Sequence, residues 1–160
     1  MKKRLIILFC VFQIAASHML AQEHLNINSI FDKYGKQEGS VLVQLSTDIL
    51  SQGSNINFYK SLIINYDKQL EKEILDAVGS DKKDKVIISE VKKNGQIESA
   101  SYYLGKSPKH ANEFILYKNK GGKLTLVYLR GDFPSGHLDY ELRKLKDLFI
   151  YVNNKRLKIQ

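Results

Sequence analysis

The chain has no tryptophan, one cysteine and two prolines, and each scarcity removes a class of answers. The cysteine, Cys10, lies in an N-terminal apolar segment, so the remainder of the chain holds no thiol. Disulfide scaffolds, thiolate metal sites and cysteine nucleophiles are thereby excluded from it. Pro108 and Pro134 both fall in loop-like contexts, and no proline-rich linker, low-complexity tract or internal repeat divides the chain. Long apolar runs are missing too. The longest, Leu5–Ala16, covers about a dozen residues, short of the roughly 20 that a membrane-spanning helix needs.

That run has a recognisable setting. Lys2, Lys3 and Arg4 precede it, and small residues follow at Ala15, Ala16, Ser17 and Ala21. Basic, apolar and small segments in this order form a secretory signal peptide. The expectation is export, with residues 1–21 removed and 22–160 forming one domain; cleavage after Ser17 is the competing site. An uncleaved anchor is one alternative. A lipid anchor on Cys10 is another, but that processing wants a small residue before the cysteine, where Phe9 stands. The expected location is periplasmic or secreted, with outer-membrane association as a further option and no transmembrane segment after cleavage.

Charge adds little. Lys2, Lys3 and Arg4 account for three of the +8 formal charge. A basic excess normally points to nucleic acid, yet export argues against that partner and none is expected. A solvated lysine-rich surface accounts for the remainder, although attraction to anionic envelope components would use the same physics.

The apolar pattern predicts the fold. Ile27, Ile30, Phe31 and Tyr34 form the apolar side of a helix over about Ile27–Gln37, with Asn26 or Asn28 as its cap and Gly39 as its stop. Ser40–Leu45 reads as a strand. From Phe58 to Val78, Phe58, Leu62, Tyr66, Leu70 and Ile74 recur every four residues, which predicts one amphipathic helix of five to six turns ending at Gly79. The period then falls to two. Lys85–Lys92 and Gln96–Leu104 flank Asn94-Gly95, a strong hairpin signal, and Glu113–Lys118 and Lys123–Arg130 flank a second turn at residues 119–122. A last helix is expected over Leu138–Tyr151, striped by Leu138, Leu142, Leu145 and Phe149, and the basic tail is unassigned. The order is α-β-α-β-β-β-β-α. It implies the α+β class, an antiparallel sheet of about four to five strands with helices packed mainly on one face. Leu124–Leu129 is apolar on both sides, so the second face is either covered by tail and loops or carries a binding surface.

Two segments carry a resemblance. Phe31-Asp32-Lys33-Tyr34-Gly35-Lys36-Gln37-Glu38-Gly39, directly before a strand, and Leu126-Val127-Tyr128-Leu129-Arg130-Gly131-Asp132-Phe133 resemble a family of small exported Bacteroidetes proteins, domain of unknown function 4252, or a sister family. The resemblance implies a secreted or envelope domain. It supplies no catalytic residue.

Export leaves hydrolysis, metal capture and binding as options. Ser135, His137 and Asp139 have the residue types of a triad, but such groups normally converge from separate elements; Ser135 reads instead as a helix cap. His24, His110 and His137 stand alone in sequence, without metal-ligand spacing. Gly121-Gly122-Lys123 has Leu124 where a phosphate-binding loop has Ser or Thr, and reads as a hairpin turn. A glycosidase needs two carboxylates about 5–10 Å apart; Glu90 and Glu98 are candidates only because they lie on adjacent predicted strands, and pairing with Lys92 or Lys93 accounts for them as well. No catalytic residue, metal ligand or cofactor is assigned.

Tyrosine is the one enrichment, with nine in the chain. It suits recognition surfaces because the ring buries area while the hydroxyl hydrogen-bonds, although strands favour aromatic residues in any case. Tyr102, Tyr117 and Tyr128, bordered by Lys106 and Lys118, form the expected binding face, suited to an envelope protein, a glycan or an acidic peptide. The reading is an exported, non-enzymatic binding domain. The alternative is a hydrolase of envelope or dietary polymers whose site assembles only on folding.

Overall fold

The computed structural model describes residues 25–50, 53–147, 149–152 and 155–158, so the signal segment, its cleavage sites and His24 lie outside the described residues. Helix α1 (Ile27–Tyr34) leads into strand β1 (Val41–Ser46) and the single turn α2 (Thr47–Leu50). Strand β2 (Ile56–Asn65) and helix α3 (Lys68–Asp81) follow. Then come β3 (Val86–Lys93), β4 (Gln96–Lys106), β5 (Asn112–Lys120) and β6 (Lys123–Gly131). A 3-10 turn (Ser135–His137) precedes helix α4 (Leu138–Asp147) and strands β7 (Phe149–Val152) and β8 (Lys155–Lys158).

Six strands form one antiparallel sheet in the order β1-β2-β6-β5-β4-β3, and β7 pairs with β8 alone. Both predicted hairpins form. Asn94 and Gly95 have φ of 52° and 79°, Gly121 and Gly122 of 60° and 72°. Two successive left-handed residues make the tight turn whose twist matches that of the flanking strands. The meander from β3 to β6 brings β6 back beside β2, with Leu62 opposite Leu126.

β2 is the largest departure from expectation. Phe58–Val78 is not one helix but a strand, a short break and a helix. A spacing of four is close to one helical turn, and it is also two strand repeats. In β2 that spacing places Phe58 and Leu62 on one sheet face while Tyr59 and Ser61 take the other, and Leu62, Tyr59 and Ser61 are all buried. A strand covered on both faces shows no polar side to betray its period. The helix begins only at Lys68, where Asp67 Oδ1 accepts the backbone N–H of Leu70 at 2.9 Å, the ordinary helix-capping contact. It also runs past Gly79 to Asp81.

The helices occupy both faces rather than mainly one. α1 and α3 pack Phe31, Tyr34, Ile74 and Val78 on Leu62, Tyr117, Leu126 and Tyr128. α2, α4 and the turn after β6 pack Leu50, Leu138, Leu145 and Phe133 on Tyr59, Phe114 and Leu129. Alternate residues of β6 thus enter two separate cores, which explains its apolar character on both sides. Phe133 stacks on Phe114, with ring centroids 5.1 Å apart and planes 3° from parallel. Glu141 secures α4 from the buried side. Its carboxylate accepts the backbone N–H and the side-chain amide of Asn55, each at 2.9 Å.

Two terminal expectations are corrected. α4 stops at Asp147, and Phe149–Val152 is a strand, consistent with its aromatic and β-branched composition. Ser135 is not a side-chain cap: it opens the 3-10 turn, and its carbonyl accepts the Leu138 N–H.

Candidate functional site

The three strand tyrosines of the expected face are core residues. Tyr102, Tyr117 and Tyr128 are 1%, 2% and 8% exposed and lie together beneath α1 and α3. Each hydroxyl donates to a glutamate: Tyr102 to Glu90 at 2.7 Å, Tyr117 to Glu71 at 2.8 Å and Tyr128 to Glu113 at 2.6 Å. The tyrosines therefore fill the core with their rings and place their hydroxyls on carboxylates nearer its margin. Lys118 is exposed and opposes Thr125, whose odd-numbered neighbours on β6 enter the other core. Lys106 is exposed at the end of β4. The five residues do not form one surface.

The opposite side of the sheet carries a different arrangement. Directly paired residues in a sheet share a face. Ser89 opposes Ser101, Ser101 opposes Leu116, and Leu116 opposes Val127. One step along, Ser99 opposes Lys118, and Lys118 opposes Thr125. These two rows floor an open groove of about 270 Å³, with Leu138 and Asp139 of the first turn of α4 at its wall. The groove lies beside α4, which Glu141 holds over the Asn55 end of β2; within it Ser101 and Val127 are buried, Ser99, Leu116 and Thr125 half-buried and Ser89 exposed.

Its chemistry is that of hydroxyls on an apolar base. Ser89 Oγ and Ser101 Oγ hydrogen-bond at 2.8 Å; Ser99 and Thr125 add two more hydroxyls, and Lys118 and Asp139 supply one charge of each sign. A polar ligand can exchange hydrogen bonds with such a floor while Leu116, Val127 and Leu138 exclude water from its apolar parts. The signal lies in the sequence as Ser99-Ala100-Ser101-Tyr102. Alternation sends the serines to one face and Ala100 and Tyr102 to the other. The abundance of tyrosine points to the wrong side.

The remaining candidates resolve into structural roles. Of Ser135, His137 and Asp139, only Asp139 lines the groove. His110, with φ of 64°, is exposed in the β4–β5 loop. Among the described residues, no group of three or more His, Cys, Asp or Glu side chains gathers as metal ligands would. Glu90 receives the Tyr102 hydroxyl and lies 3.0 Å from Lys92 Nζ and 3.3 Å from Lys82 Nζ. These contacts, led by the tyrosine, lower its pKa from 4.5 to about 2. A general acid for glycoside hydrolysis needs the opposite shift, so Glu90 sits in an ion-pair network and is not poised as a proton donor.

The whole is an α+β domain in which a six-stranded antiparallel sheet is packed on both faces, with a hydroxyl-floored groove on one of them. The chain belongs to the family of unknown function DUF6108, whose model matches residues 14–142. No curated protein and no solved structure matches it. Among the described residues, no helix is long and apolar enough to cross a membrane.

Proposed function

We propose that this chain is an exported, non-enzymatic domain of the cell envelope that binds a partner or ligand in the groove between α4 and strands β3–β6. The observation that carries the reading is the floor itself. Ser89, Ser99, Ser101 and Thr125 line one groove beside Leu116 and Val127. Hydroxyls gathered on an otherwise apolar sheet suit a short polar segment lying across the strands, either a glycan or a peptide of an envelope protein. Export rests on the basic, apolar and small-residue order of residues 2–21. A kinship with domain of unknown function 4252, and a Bacteroidetes origin, rest on residues 31–39 and 126–133 and are part of the proposal.

The test is direct binding to glycan and peptide arrays by the parent and by Ser99→Trp and Lys118→Glu. Both substitutions are at groove positions that are not fully buried, and circular dichroism checks that each variant folds. Binding lost in both folded variants supports the groove. A ligand that all three proteins bind equally removes the groove from the reading. Release of cleaved product from any array glycan would replace binding with hydrolysis.

A further inference from the structure

Among the described residues, the exposed large apolar side chains other than Tyr66 and Tyr140 gather at the two edges of the sheet. Val41 and Leu42 on β1, 55% and 38% exposed, are followed by Ile49 just beyond it; Val86, Ile87 and Val91 mark β3. An edge strand has unpaired N–H and C=O groups along one side, and proteins ordinarily protect it with charges, bulges or proline. β3 has such protection. Its pairing with β4 slips between Ile87 and Ser89 and again between Val91 and Lys92, and it carries Glu90, Lys92 and Lys93. β1 has none. Its sequence, VLVQLS, is free of charge and proline, and it pairs with β2 in unbroken register from Val41–Ile63 to Ser46–Phe58.

We propose that β1 is a self-association edge, at which two copies of this chain pair antiparallel about a two-fold axis through Val43. The occupant is a second copy because β1 is complementary to itself. Centring the pair on Val43 sets Val41 opposite Leu45 of the second copy and Val43 opposite Val43, so every side chain on that face is apolar. On the other face Leu42 meets Gln44. Val43 and Leu45 already belong to the core beneath α2 and α4, so pairing continues that apolar layer across the two copies. A two-fold contact uses the same patch on both subunits, which brings like charges together wherever the patch is charged. In this basic chain β1 avoids that cost because it has no charge. The assembled sheet has twelve strands and leaves both grooves open.

The experiment is sedimentation of the chain as its host processes it, with hydrogen exchange measured at low and high concentration. The expected result is a dimer in which every second amide of residues 41–46 becomes protected as the dimer forms. Val41→Lys, an edge-guarding charge, weakens association at least about tenfold, a change of roughly 1.4 kcal/mol; Val91→Lys on β3 leaves it unchanged. A parent that stays monomeric at about 100 µM, a hundredfold above a micromolar dissociation constant, overturns the proposal. So does a dimer whose β1 amides exchange as in the monomer, or one that Val91→Lys disrupts. The exchange measurement on the parent decides the matter even where Val41→Lys fails to fold.

Discussion

Asp81, the last residue of α3, caps α1 from outside that helix. Its Oδ1 accepts both the Asn26 backbone N–H and the Asn26 side-chain amide, each at 2.7 Å, and its Oδ2 accepts the Ile27 N–H at 2.9 Å. The first turn of an α-helix leaves N–H groups without partners. Here a residue 55 positions away in sequence satisfies them and locks the two helices end to end. Asn26 itself makes no side-chain cap. Asp81→Ala is expected to cost about 0.5–2 kcal/mol, the range for losing a helix cap. Asp81→Asn retains an acceptor and falls between. Urea unfolding of the three proteins checks the order.

This clamp shows where sequence reading stops. The two hairpins were legible because their signals are local: Asn94-Gly95 and Gly121-Gly122 adopt left-handed backbone wherever they occur in a tight turn. α1 was legible from Ile27, Ile30, Phe31 and Tyr34 for the same reason, although it stops at Tyr34 with Gly35 as its cap rather than running to Gln37 and Gly39. β2 was not, because Tyr59 is buried against Leu138 and Leu145 of α4, an element much further along the chain. The groove was hidden by the same dependence. Ser101 and Tyr102 are adjacent in sequence, and only the placement of the helices decides which of the two faces stays open. Backbone carbon chemical shifts would register the boundary directly, with strand values over residues 56–65 and helix values over 68–81.

Two glycines are predicted to respond with opposite signs. A Cβ at Gly131 would lie 2.6 Å from Phe133 Cδ1 and 2.7 Å from the Asn55 carbonyl oxygen. The strand end passes too close to the Asn55 loop for any side chain, so Gly131→Ala is expected to cost about 1–3 kcal/mol, as overpacking does. Gly79 lies inside α3, with nothing within 4 Å of the position a Cβ would take. Gly79→Ala is expected to gain about 0.5–1 kcal/mol by removing backbone freedom from the unfolded chain. Thermal melts of both variants check the pair.

Glu90 makes stability sensitive to acid. Its pKa is lowered from 4.5 to about 2 by Tyr102, Lys92 and Lys82, so the folded state holds the carboxylate ionised more firmly than the unfolded chain does. That contribution is complete above pH 4.5 and disappears as pH falls toward 2. Glu90→Gln is therefore expected to melt below the parent at neutral pH, with the gap closing between pH 4.5 and 2. A gap that stays constant across that range would show that the charge of Glu90 has no part in it.

The tyrosine–glutamate pairs set the opposite limit. Burial first, and then the Glu113 contact, raise the phenol of Tyr128 above its ordinary value of 10. Tyr102 and Tyr117 are raised for the same reasons by burial and by Glu90 and Glu71. A phenol that resists ionisation only when folded stabilises the fold fully below pH 10, and its contribution is lost as pH climbs through the raised value. Absorbance titration is expected to show the three core phenols ionising only as the protein unfolds in alkali. Tyr128→Phe separates the two effects. At pH 7 it loses a hydrogen bond to a carboxylate, about 1.5–3 kcal/mol. Above pH 10 it has no phenol to ionise, so the difference from the parent narrows. A core phenol that titrates reversibly near pH 10 in the folded protein would show that these rings are not sealed beneath α1 and α3.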